Sequence, residues 1–186
     1  PIYPKQGTQI ELYRPCQPLY LSQRKGLVYI CGMSGIFSDE YYMQKALQQA
    51  QRAYDDGEVP IGAIVVADRQ VIGQGYNQTE RLHDPTAHAE MLALTAASET
   101  MGSKYLRECD FYVTIEPCPM CATAMRWAQI RRVIFGAPEP KFGFTRYSPN
   151  LLHPKTELVS GVLAEECRAL MQSFFNPLQT LQTIKH

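Results

Sequence analysis

Apolar positions between residues 38 and 175 are spaced first for a helix, then for a hairpin, then for helices and strands in alternation. Tyr42, Met43, Ala46, Leu47, Ala50, Ala53 and Tyr54 recur at the 3.6-residue period of an amphipathic helix. Ser38 is placed to cap that helix, and Asp39 and Glu40 put negative charge in its first turn, where the helix dipole favours it. Gly57 supplies a stop. Pro60 to Ala67 (PIGAIVVA) reads as a strand, Asp68-Arg69-Gln70 as a turn, and Val71 to Tyr76 as the hairpin partner. Pro85 and Thr86 precede an alanine-rich helix over Ala87 to Ser98. There follow a strand over Asp110 to Ile115, a helix over Cys118 to Gln129, a strand over Arg132 to Ala137, a short strand at Leu158-Val159 and a closing helix over Gly161 to Phe175. This order predicts a three-layer α/β/α sandwich around a mixed five-stranded sheet.

The segment ahead of Ser38 shows no sustained period and holds four of the thirteen prolines. Gly26 to Phe37 follows Arg24-Lys25 as the apolar part of a signal peptide follows its basic part, but it lies far from the first residue and Gly32 and Gly35 interrupt it. Residues 1–33 are therefore expected to be an N-terminal extension outside the fold, with 34–186 forming the folded domain. Composition agrees with an ordinary globular chain: 186 residues, 45% hydrophobic and 19% charged. No apolar run approaches the roughly 18 residues of a membrane-spanning helix, so no membrane partner is expected. Eighteen basic residues balance eighteen acidic ones. That excludes an overall cationic nucleic-acid binder and leaves a local basic patch open. The neutrality is a cancellation, because residues 1–33 carry four basic residues against Glu11 alone, a net of +3, and the remainder carries −3. Six cysteines are too few for a disulfide-stapled miniprotein, which points to a reducing, cytoplasmic compartment.

Two short strings hold the chemistry, His88-Ala89-Glu90 and Pro117-Cys118-Pro119-Met120-Cys121. Thiols three residues apart on a first helical turn point to one side, and a helix N-terminus favours the thiolate that binds metal. One imidazole and two thiolates make three ligands for a tetrahedral zinc ion, with the fourth position left to water, as in catalytic rather than structural sites. Zinc lowers the pKa of such a water to about 7. Glu90 is the carboxylate that can move protons between that water and a departing amine. His88 and Glu90 are two apart, so both face one pocket only if they straddle a loop-to-helix junction at residues 85–90. A CxxC pair alone also fits a redox couple, and a closed structural zinc site needs a fourth ligand. His83, His153, Cys16, Cys31, Cys109 and Cys167 are nominal candidates for that ligand, none at a recommending spacing. The joint H-x-E…P-C-x-x-C pattern is the signature of zinc deaminases.

Longer stretches narrow the resemblance. Gly57 to Ala63 (GEVPIGA), Val71 to Asn77 (VIGQGYN), His83 to Glu90 (HDPTAHAE), Thr114 to Met125 (TIEPCPMCATAM), Arg132 to Ala137 (RVIFGA) and Gly161 to Phe175 (GVLAEECRALMQSFF) resemble the bacterial tRNA-specific adenosine deaminases of the cytidine deaminase-like superfamily. The resemblance spans residues 38–175, about three-quarters of the chain. It implies hydrolytic conversion of adenosine to inosine at the wobble position of a tRNA anticodon, by a homodimer with one Zn2+ per subunit. By the same resemblance His88, Cys118 and Cys121 bind zinc and Glu90 shuttles the proton. Asn77 and the Ala89 backbone meet the flipped base, and Val59 and Pro60 pack beside it. A base attacked at C6 must indeed leave its stack, and an amide side chain suits an adenine edge. On chemistry alone, Asn77 equally fits a turn residue after a strand.

The chain departs from the family pattern in two places. Where relatives have a loop of small residues, Pro138 to Asn150 (PEPKFGFTRYSPN) is aromatic. Phe142, Phe144, Arg146 and Tyr147 suit stacking on exposed nucleotides and contact with phosphate, or packing against a partner subunit or sheet edge. Where many relatives have a basic run after the last helix, this chain has Asn176-Pro177, expected to end the helix, and a tail with Lys185 alone. Arg126, Arg131, Arg132, Lys141 and Arg146 are candidates for a local basic patch, which implies a modest salt dependence of RNA binding. Two other readings stay open: a free nucleobase or nucleoside deaminase of the guanine or cytosine type, and a non-catalytic zinc-stabilised subunit, against which the intact Glu90 argues.

Overall fold

The computed structural model describes residues 37–176. Expectations for residues 1–33, and for the helix end at Pro177 and the tail beyond it, lie outside the described residues. The elements run α1 (Asp39–Asp55), β1 (Gly62–Ala67), β2 (Gln70–Tyr76), α2 (Thr79–Leu82), α3 (Ala89–Met101), β3 (Asp110–Ile115), α4 (Pro119–Ala128), β4 (Arg132–Ala137), β5 (Glu157–Ser160) and α5 (Ala164–Phe175). Two single 3-10 turns, Phe144–Arg146 and Pro149–Leu151, lie between β4 and β5.

The five strands form one mixed sheet in the order β2-β1-β3-β4-β5. β1 is antiparallel to β2 and β3, while β3, β4 and β5 are parallel. Alternate residues of the central strands feed two separate cores. Val65, Phe111, Val113, Val133 and Phe135 pack against α3 and α4 on one face. Ile64, Val66, Tyr112 and Ile134 pack against α1 and α5 on the other. Because both faces are covered, β1 and β3 are buried at every position, which explains the unbroken apolar run of β1. The three-layer α/β/α sandwich with a mixed five-stranded sheet is as predicted.

Glycines decide how close two of the helices lie. A Cβ on Gly75 would stand 2.5 Å from the Ala89 carbonyl oxygen and 2.8 Å from the Ala93 nitrogen. One on Gly73 would stand 2.5 Å from the Ala93 carbonyl oxygen and 2.6 Å from the Ala97 nitrogen. Gly73 and Gly75 share one face of β2, and Ala89, Ala93 and Ala97 recur every fourth residue on α3. Backbone therefore rests almost directly on backbone, with no side chain to act as a spacer. Gly62 meets Ala46 and Ala50 of α1 in the same way on the opposite face.

The amino ends of β3 and β4 are clamped by charge. Arg132 pairs with Asp39 of α1 at 2.9 Å and with Asp110 at 3.2 Å, and the Tyr112 hydroxyl donates to Asp39 at 2.8 Å. Ser38 caps α1 as expected, accepting from the Tyr41 nitrogen at 3.3 Å. Several boundaries differ from those expected, the largest shifts being the start of α5 at Ala164 rather than Gly161 and the end of α3 at Met101 rather than Ser98. β1 begins at Gly62 rather than Pro60, α3 at Ala89 rather than Ala87, and α4 at Pro119 rather than Cys118. The four-residue α2 was not predicted, because a single turn has no period to detect.

Gly75→Ala is expected to lower stability by about 1–3 kcal/mol in chemical denaturation, because α3 must shift to admit the methyl group. An unchanged midpoint would show that α3 has slack against the sheet.

Candidate zinc site

The carboxyl ends of the parallel strands β3 and β4 open towards the place where α3 and α4 begin. His88 is the N-cap of α3 (φ −69°, ψ 151°) and Cys118 the N-cap of α4 (φ −73°, ψ 167°). Neither side chain makes a capping hydrogen bond, so both project away from their own helix ends. Pro119 occupies the first helical position, where its missing N–H costs nothing. Cys121 follows within the first turn. Glu90 is the second residue of α3, so the strand-like φ,ψ of His88 lets the two straddle the loop-to-helix junction that their spacing demanded.

The donor atoms converge. Nδ1 of His88 lies 3.7 Å from Sγ of Cys118 and 3.5 Å from Sγ of Cys121, and all three donor atoms fall within 4.8 Å of one another. Tetrahedral zinc, with bonds of about 2.3 Å to sulfur and about 2.0–2.1 Å to nitrogen, separates such donors by roughly 3.6 Å. Among the described residues this is the one group of three or more such side chains arranged to hold a metal ion.

Electrostatics suit a cation. The Cys118 thiol is pushed down to about 4 by a hydrogen bond from Cys121, aided by His88 and opposed by burial. Cys121 is raised correspondingly, first by its bond to Cys118 and then by burial. Without metal the two sulfurs thus share one proton, which a bound cation displaces. His88 is raised by its contact with Cys118, against the effect of burial. Glu90, 3% exposed, is pushed up to about 7 by burial. Its Oε2 is buried and has no hydrogen-bond partner among the described residues. An orphaned carboxylate oxygen beside three converging ligands fits a site built to receive a water and a metal.

His88, Glu90 and Cys118 line a cavity of about 870 Å³. Val59, Ile61 and Ile115 form apolar wall, and Phe142, Tyr147 and Phe175, each more than 60% exposed, stand at the rim. The structure thus brings together Val59, His88, Glu90, Cys118 and Cys121. Pro60, Asn77 and Ala89 are buried and do not line the cavity. Asn77 instead donates from Nδ2 to Glu58 Oε2 at 3.2 Å and to Thr79 Oγ1 at 3.1 Å.

Two expectations are corrected. Phe144 is fully buried in the core beneath α3 and α4, so it has no face to offer a nucleotide. Phe142 and Tyr147 remain available, and Arg146 is exposed with its guanidinium on the Pro140 carbonyl at 3.0 Å. The five candidate basic residues form no single patch. Arg131 and Arg132 are engaged by Asp110, Asp39 and Glu157 at the amino ends of the strands. Arg126 binds the carbonyls of Asn150 and Leu152. Lys141 alone of the five lines the cavity.

Two buried carboxylates escaped the sequence reading. Glu58, 2% exposed, accepts from Asn77, from the Thr79 hydroxyl and from the backbone nitrogens of Glu80 and Arg81. It thereby sets the amide orientation of Asn77. Glu116 lies two residues before Cys118 and lines the cavity. Their only signal was an acid within an otherwise apolar stretch, GEVPIGA and TIEPCPM.

The fold and the site together define a zinc-dependent deaminase domain. Residues 37–137 match the family model of the cytidine and deoxycytidylate deaminase zinc-binding region. Over 146 residues the chain is 41% identical to the tRNA-specific adenosine deaminase of Bacillus subtilis, covering 76% of this chain and 91% of that relative. A solved structure of a tRNA:A34 deaminase, described as an A-to-I editor at the wobble position of transfer RNA, superposes with a TM-score of 0.65. It is 39% identical and covers 70% of this chain and 98% of that one. The guanine deaminase of Nitrosomonas europaea, at 23% identity, shares the fold with a TM-score of 0.66 over 74% of this chain and 84% of that one. The chain belongs to the tRNA-specific adenosine deaminase family.

Purified protein is expected to hold about one zinc per chain, measured by elemental analysis. Cys118→Ala and His88→Ala should each lose it, while Glu90→Gln should keep it. Zinc loss in Glu90→Gln would make Glu90 a ligand.

Proposed function

We propose that the protein hydrolyses the exocyclic amine of adenosine to give inosine at the wobble position of tRNA anticodons. The observation that supports this most is Glu90, a buried carboxylate with an unpartnered oxygen, set beside His88, Cys118 and Cys121 against an apolar-walled cavity. The names of the relatives fit the same reading.

His88, Cys118 and Cys121 would hold a zinc ion, which would supply a water acidified to a pKa of about 7. Glu90 would relay the attacking water's two protons in turn, one to ring N1 as the C6–O bond forms and one to the departing amino nitrogen as the C6–N bond breaks. Adenosine and water become inosine and ammonia. Burial serves Glu90 here: a carboxyl poised near neutrality both takes and gives a proton at physiological pH. The apolar walls at Val59, Ile61 and Ile115 offer a dry surface to the faces of a base turned out of its stack. With Nδ2 committed to Glu58 and Thr79, Asn77 is held behind the cavity wall rather than among its lining residues. Phe142 and Tyr147 suit stacking on neighbouring unpaired nucleotides.

The working form in this reading is a homodimer in the cytoplasm. Trp127, 75% exposed, borders an apolar groove between α3 and α4 formed with Met91, Leu94 and Tyr105, which suits a second copy of the chain. No helix among the described residues is long and apolar enough to cross a membrane.

The deciding assay offers an anticodon stem-loop with a wobble adenosine, free guanine and free cytosine. Inosine formed only in the RNA is the expected result, and turnover of a free base alone refutes the proposal. Glu90→Gln is expected to lower kcat on the stem-loop by about 10²–10⁴-fold. Activity retained in that variant would assign the proton transfers elsewhere. Trp127→Glu is expected to sediment as a monomer, and a dimer of undiminished stability would place the subunit contact on another face.

A further inference from the structure

We propose that Glu116 is a positioning residue whose carboxylate latches the segment 138–147, and with it the cavity rim, to the strand-to-helix turn that carries Cys118. The inference deepens the tRNA reading, on which it rests for the identity of what the rim receives.

Glu116 is 6% exposed, and both of its oxygens are occupied by the same segment. Oε2 accepts from the Glu139 backbone nitrogen at 3.1 Å. Oε1 accepts from the Thr145 backbone nitrogen at 3.0 Å and from the Thr145 hydroxyl at 2.7 Å. One oxygen therefore pins the beginning of the loop and the other its end. The main chain repeats the arrangement, for the Glu116 nitrogen donates to the Ala137 carbonyl at 2.9 Å and the Phe144 nitrogen to the Pro117 carbonyl at 2.9 Å. The fully buried Phe144 ring holds the same end from below. Gly143 lies so close to the carboxylate that a Cβ there would stand 2.4 Å from Glu116 Cδ and 2.5 Å from Oε2. Between the pins, Pro140, Lys141 and Phe142 line the cavity, and Tyr147 lines it two residues beyond Thr145.

This division of labour separates the two buried acids of the cavity, Glu90 and Glu116. Glu90 has an unpartnered oxygen and the reach of a proton carrier, whereas Glu116 has three donors from one loop and none to spare. A carboxylate is suited to the task because it only accepts, and every group facing it donates. A glutamine in its place sets an NH2 group against an N–H at one of the two ends, so one pin is lost whichever way the amide turns.

Hydrogen exchange and steady-state kinetics on the zinc-loaded full chain test the latch together. Glu116→Gln is expected to retain zinc, to lose amide protection at Glu139 and Thr145 but not in β1, and to raise KM for the anticodon stem-loop by about tenfold. kcat should change much less. Gly143→Ala, which crowds the same carboxylate from the other side, should reproduce both effects. Thr145→Val should give a smaller rise in KM, while Thr145→Ser, which keeps the hydroxyl donor, should behave like the parent. Should Glu116→Gln disturb the whole fold, the Thr145 pair decides alone. Unchanged protection and KM in both Glu116→Gln and Gly143→Ala, or indistinguishable Val and Ser variants at 145, overturn the proposal, as does a fall in kcat with KM unaltered. Exchange is read without substrate, so loss of protection in a protein that turns over only a free base upholds the latch and refutes the tRNA reading.

Discussion

Everything at this site depends on two helices beginning at the same point in space, and the approach of α3 to the sheet is what allows it. Gly73 and Gly75 on β2 leave α3 in direct contact through Ala89, Ala93 and Ala97. At ordinary helix-to-sheet separation the first turn of α3 would be carried outward, and His88 with it. α4 arrives from the other side, fixed by the short connection from β3 and by Pro119 at its first position. Two N-caps whose side chains converge as candidate metal ligands, rather than capping their helices, are the result. Unpaired N–H groups at both helix starts then favour the negative charge that Cys118 and Cys121 bring.

Three buried acids, Glu58, Glu90 and Glu116, are separated in their chemistry by hydrogen bonding rather than by residue type. Glu58 is filled by the start of α2 and by Asn77, and so orients a neighbour. Glu116 is filled by the 138–147 segment. Of the three, Glu90 alone keeps a buried oxygen without a partner, and burial pushes its carboxyl up to about 7. A satisfied buried carboxylate organises structure, while an unsatisfied one retains the free energy to move a proton.

Charge is spent mainly on architecture. Arg131 and Arg132 meet Asp39 and Asp110 at the amino ends of the central strands, far along the sheet from the cavity at their carboxyl ends. The polar clamp and the reactive cavity therefore occupy opposite ends of β3 and β4, the usual division in open α/β sheets. What remains at the rim is mostly aromatic, with Lys141 as its basic member, consistent with recognition of unpaired bases by stacking.

Periodicity and motif spacing alone marked out the helices α1, α3, α4 and α5, all five strands and the candidate set His88, Cys118 and Cys121 with Glu90, whose three donor atoms the fold brings within 4.8 Å of one another. Each of these rests on local chemistry: apolar repeats of fixed period, a cap before a helix, donors three residues apart on one turn. Where one turn lacks a period, as in α2, or where successive aromatics alternate between core and solvent, as with Phe142 and Phe144, the sequence leaves the choice open. Tertiary structure decided those, together with the burial of Glu58 and Glu116, the withdrawal of Asn77 from the cavity wall and the dispersal of the arginines. All of these depend on partners distant in sequence: Arg132 meets Asp39 and Glu116 meets Thr145. A residue's type says what it can bond, but only the folded chain determines which groups are near enough to be bonded.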